Sequence, residues 1–323
     1  VRSFSCPVCA HLVVFENFSC LNCGTSLGYS RDKRDLVTLD GSIRCANADV
    51  ARCNWLVDEP GQLCGSCALT RTRPAHDDTA AMVAFADAEA AKRRLVYQAD
   101  DLGLTTDGVV FDLLSSAQEP VITGHADGVV TIDLAEGDDA HRETLRVQLA
   151  EPYRTMLGHL RHETGHWYWT VLVQNDPEPF RALFGDERAD YTEALQRHYS
   201  APADDGWVEH YVSSYATAHP WEDWAESFAH YLHIRDTIQT AAAYGMVVGG
   251  PDAKAAPDAP LAATPREDPS SFAEVISTWF PLTYALNAVN RSMGKDDLYP
   301  FILSPTVLEK LEFVHRAVTG VSS

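Results

Sequence analysis

The chain runs out of cysteine early: all eight lie between Cys6 and Cys67, and the following 256 residues have none. No disulfide can staple that long remainder, so its stability must come from its own core. Long apolar runs are also missing. None approaches the ~18 residues that a membrane-spanning helix needs, and no membrane association is expected. Basic residues are scarce, with 25 Lys and Arg against 46 Asp and Glu for a net charge of -21. The deficit is uneven. Residues 1–76 carry 8 basic and 7 acidic side chains, and the rest carries 17 and 39. An acidic body repels phosphates, which argues against a nucleic-acid partner. Arg31, Lys33 and Arg34 alternate with Asp32 and Asp35, a weak basic patch. The hydrophobic share of 46% is ordinary for a globular protein.

The cysteines are grouped. Cys6 and Cys9 form one C-x-x-C knuckle and Cys20 and Cys23 another, followed by Gly24, whose freedom suits the sharp turn there. Two knuckles supply four sulfurs to one tetrahedral zinc. Cys45, Cys53, Cys64 and Cys67 supply a second set, with a looser first pair. Sequential pairing is the simplest reading, with an interleaved cross-brace (6/9/45/53 and 20/23/64/67) as the alternative. Disulfides are the bland alternative. The first knuckle begins at residue 6, leaving no room for an apolar leader. A cytoplasmic protein with reduced, metal-binding thiols is therefore expected. A segment of this size has a thin core, so zinc should supply much of its folding free energy.

In the body, His162-Glu163-Thr164-Gly165-His166 is an H-E-x-x-H motif. On a helix, residues four apart share a face, so two imidazoles can grip one zinc while Glu163 stands beside it as general base. Pro152 fits a helix start. Tyr153 to Val173 then reads as one helix, with Leu157, Leu160, Trp167, Tyr168, Val171 and Leu172 as apolar cover. Gly165 costs about 1 kcal/mol in a helix relative to Ala, which fits close approach by another element. The extended motif with a third His fails, because Trp169 and Leu172 occupy the required Gly and His positions. The third ligand must come from elsewhere. The helix predicted after His219-Pro220 offers Glu226, flanked by small Ala225 and Ala229, with Glu222 and His230 on the same face as alternatives. Asp223 or Glu222 could accept the second N–H of a ligating imidazole. For the oxyanion donor, Tyr215 is the first choice, with His219 and Tyr211 as rivals. His159 lies one turn before His162, where a surface role outweighs a place in the site.

Taken together, the Cys6-Pro-Val-Cys9, Cys20-Leu-Asn-Cys23-Gly24 and Cys64-Gly-Ser-Cys67 knuckles, HETGHWYW at 162–169, HPWEDWAESFAHYLH at 219–233 and NRSMGKDDLYPF at 290–301 resemble the gluzincin metallopeptidases. More narrowly, they resemble a bacterial zinc-binding metallopeptidase family with an N-terminal zinc ribbon. The resemblance covers most of the chain. It implies one catalytic zinc held by His162, His166 and Glu226, with Glu163 as base, and it defines no substrate.

The layout expected is an α+β protein. Residues 1–76 form a zinc-ribbon module with two zinc sites of four cysteines each, and 77–323 form a mostly helical, zincin-like metallopeptidase domain with a small sheet. Residues 77–99 read as a helix; 109–114, 121–124 and 128–134 read as strands. The strand at 129–134 is the candidate substrate edge, against the equal claim of an ordinary buried strand. Residues 180–245 read as mainly helical, with a loop at Asp204-Asp205-Gly206. Residues 246–270 read as a loop or insertion, and 271–318 as helix with Trp279, Phe280, Leu286, Val289 and Met293 in the core. The expected activity is zinc-dependent hydrolysis of a peptide or protein substrate, with one catalytic and two structural zincs and the ribbons structural or protein-binding. The alternatives are a ribbon scaffold with a vestigial metal site and a zinc amidase or deamidase.

Overall fold

The structure, a computed structural model, describes residues 2–117, 120–137, 155–200, 205–250 and 262–320. Pro152, Tyr153, Asp204 and residues 251–261 of the predicted insertion lie outside the described residues. The described residues form two compact units, the first holding residues up to 137 with Thr155–Leu160, the second the residues from Arg161 onward. The first unit thus takes in residues 77–137 along with the cysteine-rich segment.

Three two-stranded hairpins shape the cysteine-rich segment: β1 (Phe4–Ser5) with β2 (Leu12–Val13), β3 (Leu27–Ser30) with β4 (Asp35–Thr38), and β5 (Ile43–Arg44) with β6 (Leu56–Val57). Such short ribbons bury little by themselves. An aromatic cluster fills the gap: the Phe15 ring lies 4.9 Å from Tyr29 and 5.1 Å from Tyr97, and Tyr29 lies 5.0 Å from Trp55. Tyr97 comes from α1 (Thr79–Leu102), which starts at the Asp78 N-cap and ends at Gly103 in a left-handed conformation. Arg31 forks onto Asp100 at 2.8 and 2.6 Å, and Arg34 pairs with Asp101. Two of the three cations in the weak basic patch are therefore paired with α1. That lock explains why α1 belongs with the ribbons.

A four-stranded sheet completes the unit in the order β7 (Thr70–Thr72), β8 (Val110–Leu114), β10 (Val129–Asp133), β9 (Gly124–Ala126). β8 runs parallel to both β7 and β10, and β9 is antiparallel to β10. The hairpin strand sits later than 121–124, because Asp127 and Gly128 form the two-residue turn with φ of 49° and 79°. Both central residues of that turn type need positive φ. A Cβ on Gly128 would also stand 2.6 Å from the Gly108 carbonyl oxygen. The candidate substrate edge is not an edge: β10 is paired on both sides, and β7 and β9 are the outer strands.

The second unit is helical. It carries most of α2 (Met156–Leu172), then α3 (Glu178–Phe184), α4 (Tyr191–Ser200), α5 (Pro220–Ala243), α6 (Phe272–Ser292) and α7 (Pro305–Thr319). Pro220 opens α5 behind an extended His219, whose ring Nδ1 accepts from the Trp221 N–H. Glu222 and Asp223 in the first turn suit the positive end of the helix dipole. On α6 the buried stripe is Val275, Trp279 and Leu282. Val289 and Met293, expected in the core, are exposed. The stripe ends at buried Asn287, which binds the Tyr299 backbone on both its N–H and C=O.

α2 and α5 meet closely at Gly165. A Cβ there would stand 3.2 Å from Ala225 Cα and 3.3 Å from Phe228 Cδ1. The fully buried Trp224 donates its indole N–H to the Gly165 carbonyl at 2.8 Å. Gly165→Val should therefore force the helices apart and destabilise the protein by about 1–3 kcal/mol. Thermal and chemical unfolding check this; a wild-type midpoint would refute the close contact.

Candidate metal centres

The cysteines converge in two groups, Cys6/Cys9/Cys20/Cys23 and Cys45/Cys53/Cys64/Cys67, each with all sulfurs within 4.8 Å of one another. This is the sequential pairing. Sulfur separations of 3.6 Å (Cys6–Cys23 and Cys9–Cys20) and 3.7 Å (Cys53–Cys64) are far beyond the ~2.05 Å of a disulfide. They match the edge of about 3.8 Å that a tetrahedron with Zn–S of about 2.3 Å requires. The donor sets thus fit zinc.

The two groups differ in exposure. All four sulfurs of the second are buried, and backbone N–H groups of Cys64 and Cys67 point at Cys45 and Cys64 sulfurs. Behind it, fully buried Glu89 reaches Cys67 at 3.7 Å and takes the Lys92 ammonium at 2.6 Å. In the first group Cys23 is exposed and Cys9 half-buried. Hydrogen bonds from Thr25, side chain and backbone, draw the Cys23 thiol down to about 6. An exposed thiolate is the easiest to attack. Titration with an organomercurial, followed by a chromophoric chelator, should therefore release metal first from the Cys6/Cys9/Cys20/Cys23 site. Survival of the fast phase in Cys23→Ser would contradict this order.

The third convergence is on α2 and α5. His162, His166 and Glu222 each bring one donor atom within 4.8 Å of the others. Glu222 Oε2 lies 3.0 Å from His162 Nε2 and 3.5 Å from His166 Nε2. Glu226, the first expectation for third ligand, does not complete this group. Its Oε1 sits 2.7 Å from the other ring nitrogen, Nδ1 of His162. The two acids share one face of α5, one turn apart, and each takes one edge of the same imidazole. Burial opposes charge on His162, but hydrogen bonds to Glu222 and Glu226 hold its pKa well above the ordinary value. Burial likewise opposes charge on Glu226, yet His162 draws it down to about 2.

The remaining expectations sort by what each side chain touches. Asp223 points to Lys310 of α7, 2.6 Å away, and takes no imidazole N–H. His230 is fully buried, with Nδ1 2.7 Å from the Tyr299 hydroxyl, and lies outside the donor group. Among the oxyanion candidates, His219 caps α5 and its Nε2 donates to the Ala189 carbonyl. The Tyr211 ring lies under the Lys310 ammonium at 4.2 Å. Tyr215 alone of the three has its ring in reach of the centre, 5.9 Å from His162. Burial and the nearby Glu222 carboxylate push its hydroxyl pKa up, with Glu163 adding to the effect. His159 pairs with Glu136. Unanticipated is Tyr191, at the start of α4: its hydroxyl donates to Glu222 Oε1 at 2.6 Å and is hydrogen-bonded to Tyr215.

Two imidazole Nε2 atoms and a carboxylate oxygen are the donor set of a hydrolytic zinc centre. Two four-sulfur clusters stand before it in the chain. Residues 81–317 match the family described as "Putative zinc-binding metallo-peptidase", and residues 3–78 match a zinc-ribbon domain. The chain belongs to that zinc-binding metallopeptidase family. It is 49% identical over 341 aligned positions to uncharacterized proteins of Mycobacterium bovis and of two strains of Mycobacterium tuberculosis, covering 100% of this chain and 96% of theirs. No solved structure matches it. None of the described helices is long and apolar enough to cross a membrane.

Proposed function

We propose that the protein is a zinc-dependent peptidase with a zincin-like site, in which His162, His166 and Glu222 hold the catalytic metal and Glu163 is the general base. The observation that carries this is the meeting of Glu222 Oε2, from α5, with the Nε2 atoms of both histidines of α2, the helix that also bears Glu163. Zinc bound there would supply Lewis acidity, polarising an amide carbonyl and acidifying water.

The chain's own residues do the rest. Glu226 accepts the Nδ1–H of His162, which fixes the tautomer and turns Nε2 toward the metal. Tyr191 occupies Oε1 of Glu222, leaving Oε2 for the donor group. Glu163 takes the proton of the attacking water and passes it to the leaving amine. Tyr215 donates its hydroxyl to the developing oxyanion, a contribution of about 3 kcal/mol. The substrate is a peptide or protein, and the ribbon module offers a surface for a protein partner. The two sulfur clusters hold structural zinc, for three zincs per chain in all, and the protein works in the cytoplasm.

Metal analysis should find close to three zincs per chain; one would refute the assignment of both cysteine clusters. Glu163→Gln should keep all three and lose hydrolysis by about 10²- to 10⁴-fold. Parent-rate cleavage by that variant would remove Glu163 from the mechanism. Glu222→Ala should lose the body's zinc outright, whereas Glu226→Ala should weaken it by about 10- to 100-fold. The reverse order in a competition assay with a chelator would exchange the two roles.

A further inference from the structure

Beside the donor group, α4 presents an open groove of 670 Å³ lined by Tyr191, Thr192, Leu195, Gln196, Tyr199 and Ser200. Residues 191, 195 and 199 are one helical turn apart and so share a face, while Ala194 of the same helix is buried. Tyr199 is 61% exposed, a large aromatic surface facing outward.

The groove adjoins the candidate centre through one shared residue. Tyr191 belongs to both: its ring lines the groove, and its hydroxyl holds the Glu222 carboxylate at 2.6 Å. At the far end, the His198 ring lies 5.2 Å from the Tyr199 ring and 6.0 Å from the Tyr215 ring, which itself lies 5.9 Å from His162. A peptide whose carbonyl sits at the donor group would have this face beside one flanking side chain.

The lining decides what that side chain is. Among the described residues no carboxylate and no cation lines the groove, although the protein as a whole carries a net charge of -21. Its lining includes two tyrosines and a leucine, and the volume exceeds what a small residue would fill. Apolar surfaces of this kind discriminate by buried area. We propose that this groove is the specificity pocket of the peptidase, and that it takes a large apolar side chain, Leu, Phe, Met or Tyr, flanking the bond to be cut. Leu195 and Tyr199 are the specificity-determining residues. This rests on the zinc-peptidase reading above.

The test is calorimetric binding of N-acetyl-glycine, N-acetyl-leucine and N-acetyl-phenylalanine hydroxamates to the zinc-loaded full chain, with Leu195→Asp and Tyr199→Ser as variants. Neither residue belongs to the donor group, and zinc content checks each variant. The parent should bind the leucine and phenylalanine compounds about tenfold or more tighter than the glycine compound. Each variant should bring that advantage to within about twofold, with glycine-compound affinity unchanged. Equal affinity of all three compounds for the parent, or a preference that survives both substitutions, would overturn the pocket assignment and leave the zinc site standing. A zinc-loaded parent that bound none of the three would overturn the open metal site itself and the pocket with it.

Discussion

The approach of α2 to α5 is the constraint on which the candidate site depends. Gly165 has no side chain, so the backbone of α2 can lie against Ala225, and the Trp224 indole pins its carbonyl. That contact fixes the offset of the two helices along their axes. With the offset set, His162 falls between Glu222 and Glu226, and His166 comes into reach of Glu222. Burying Glu222 and half-burying Glu226 would be costly alone; facing imidazoles offset the cost, each group satisfying the other. A larger residue at 165 would disturb ligands it never touches.

The cysteine-rich unit solves a different problem. Its strands are two to four residues long, too short to stand by sheet pairing. Four aromatic residues from the ribbons and Tyr97 from α1 build the core that the hairpins cannot. The four-sulfur groups close the loops around it, so a metal bound there and the core would depend on each other. The buried Glu89–Lys92 pair behind Cys67 adds an anchor on the α1 side. Such a pair is costly to break one partner at a time, which holds Glu89 in place against Cys67 and Thr70.

Much of this was legible in the chain before any coordinates. Spacing alone marks the H-E-x-x-H helix and both cysteine sets, because each motif's chemistry is local. What failed to show was tertiary. Glu222 and Glu226 share a face, and helix periodicity cannot say which one meets the Nε2 atoms; that depends on helix offset. Tyr191 carries no pattern signal, since a tyrosine at a helix start usually just packs. β10 reads as an edge only until β8 is found beside it in parallel, an order that sequence adjacency hides. Val289 and Met293 continue the apolar spacing of α6, yet among the described residues they stay exposed. The α5 cap, by contrast, could be read directly from His219-Pro220.

The central claim is that one divalent ion is held between His162, His166 and Glu222, with Glu226 behind the first imidazole. Anomalous diffraction at the zinc edge, from crystals of the zinc-loaded protein, tests it most directly. The account requires a peak bonded to both Nε2 atoms and a Glu222 oxygen, with Glu226 on Nδ1 of His162. A peak ligated by Glu226 with Glu222 turned away, or density for sulfur-bound metal alone, would contradict it.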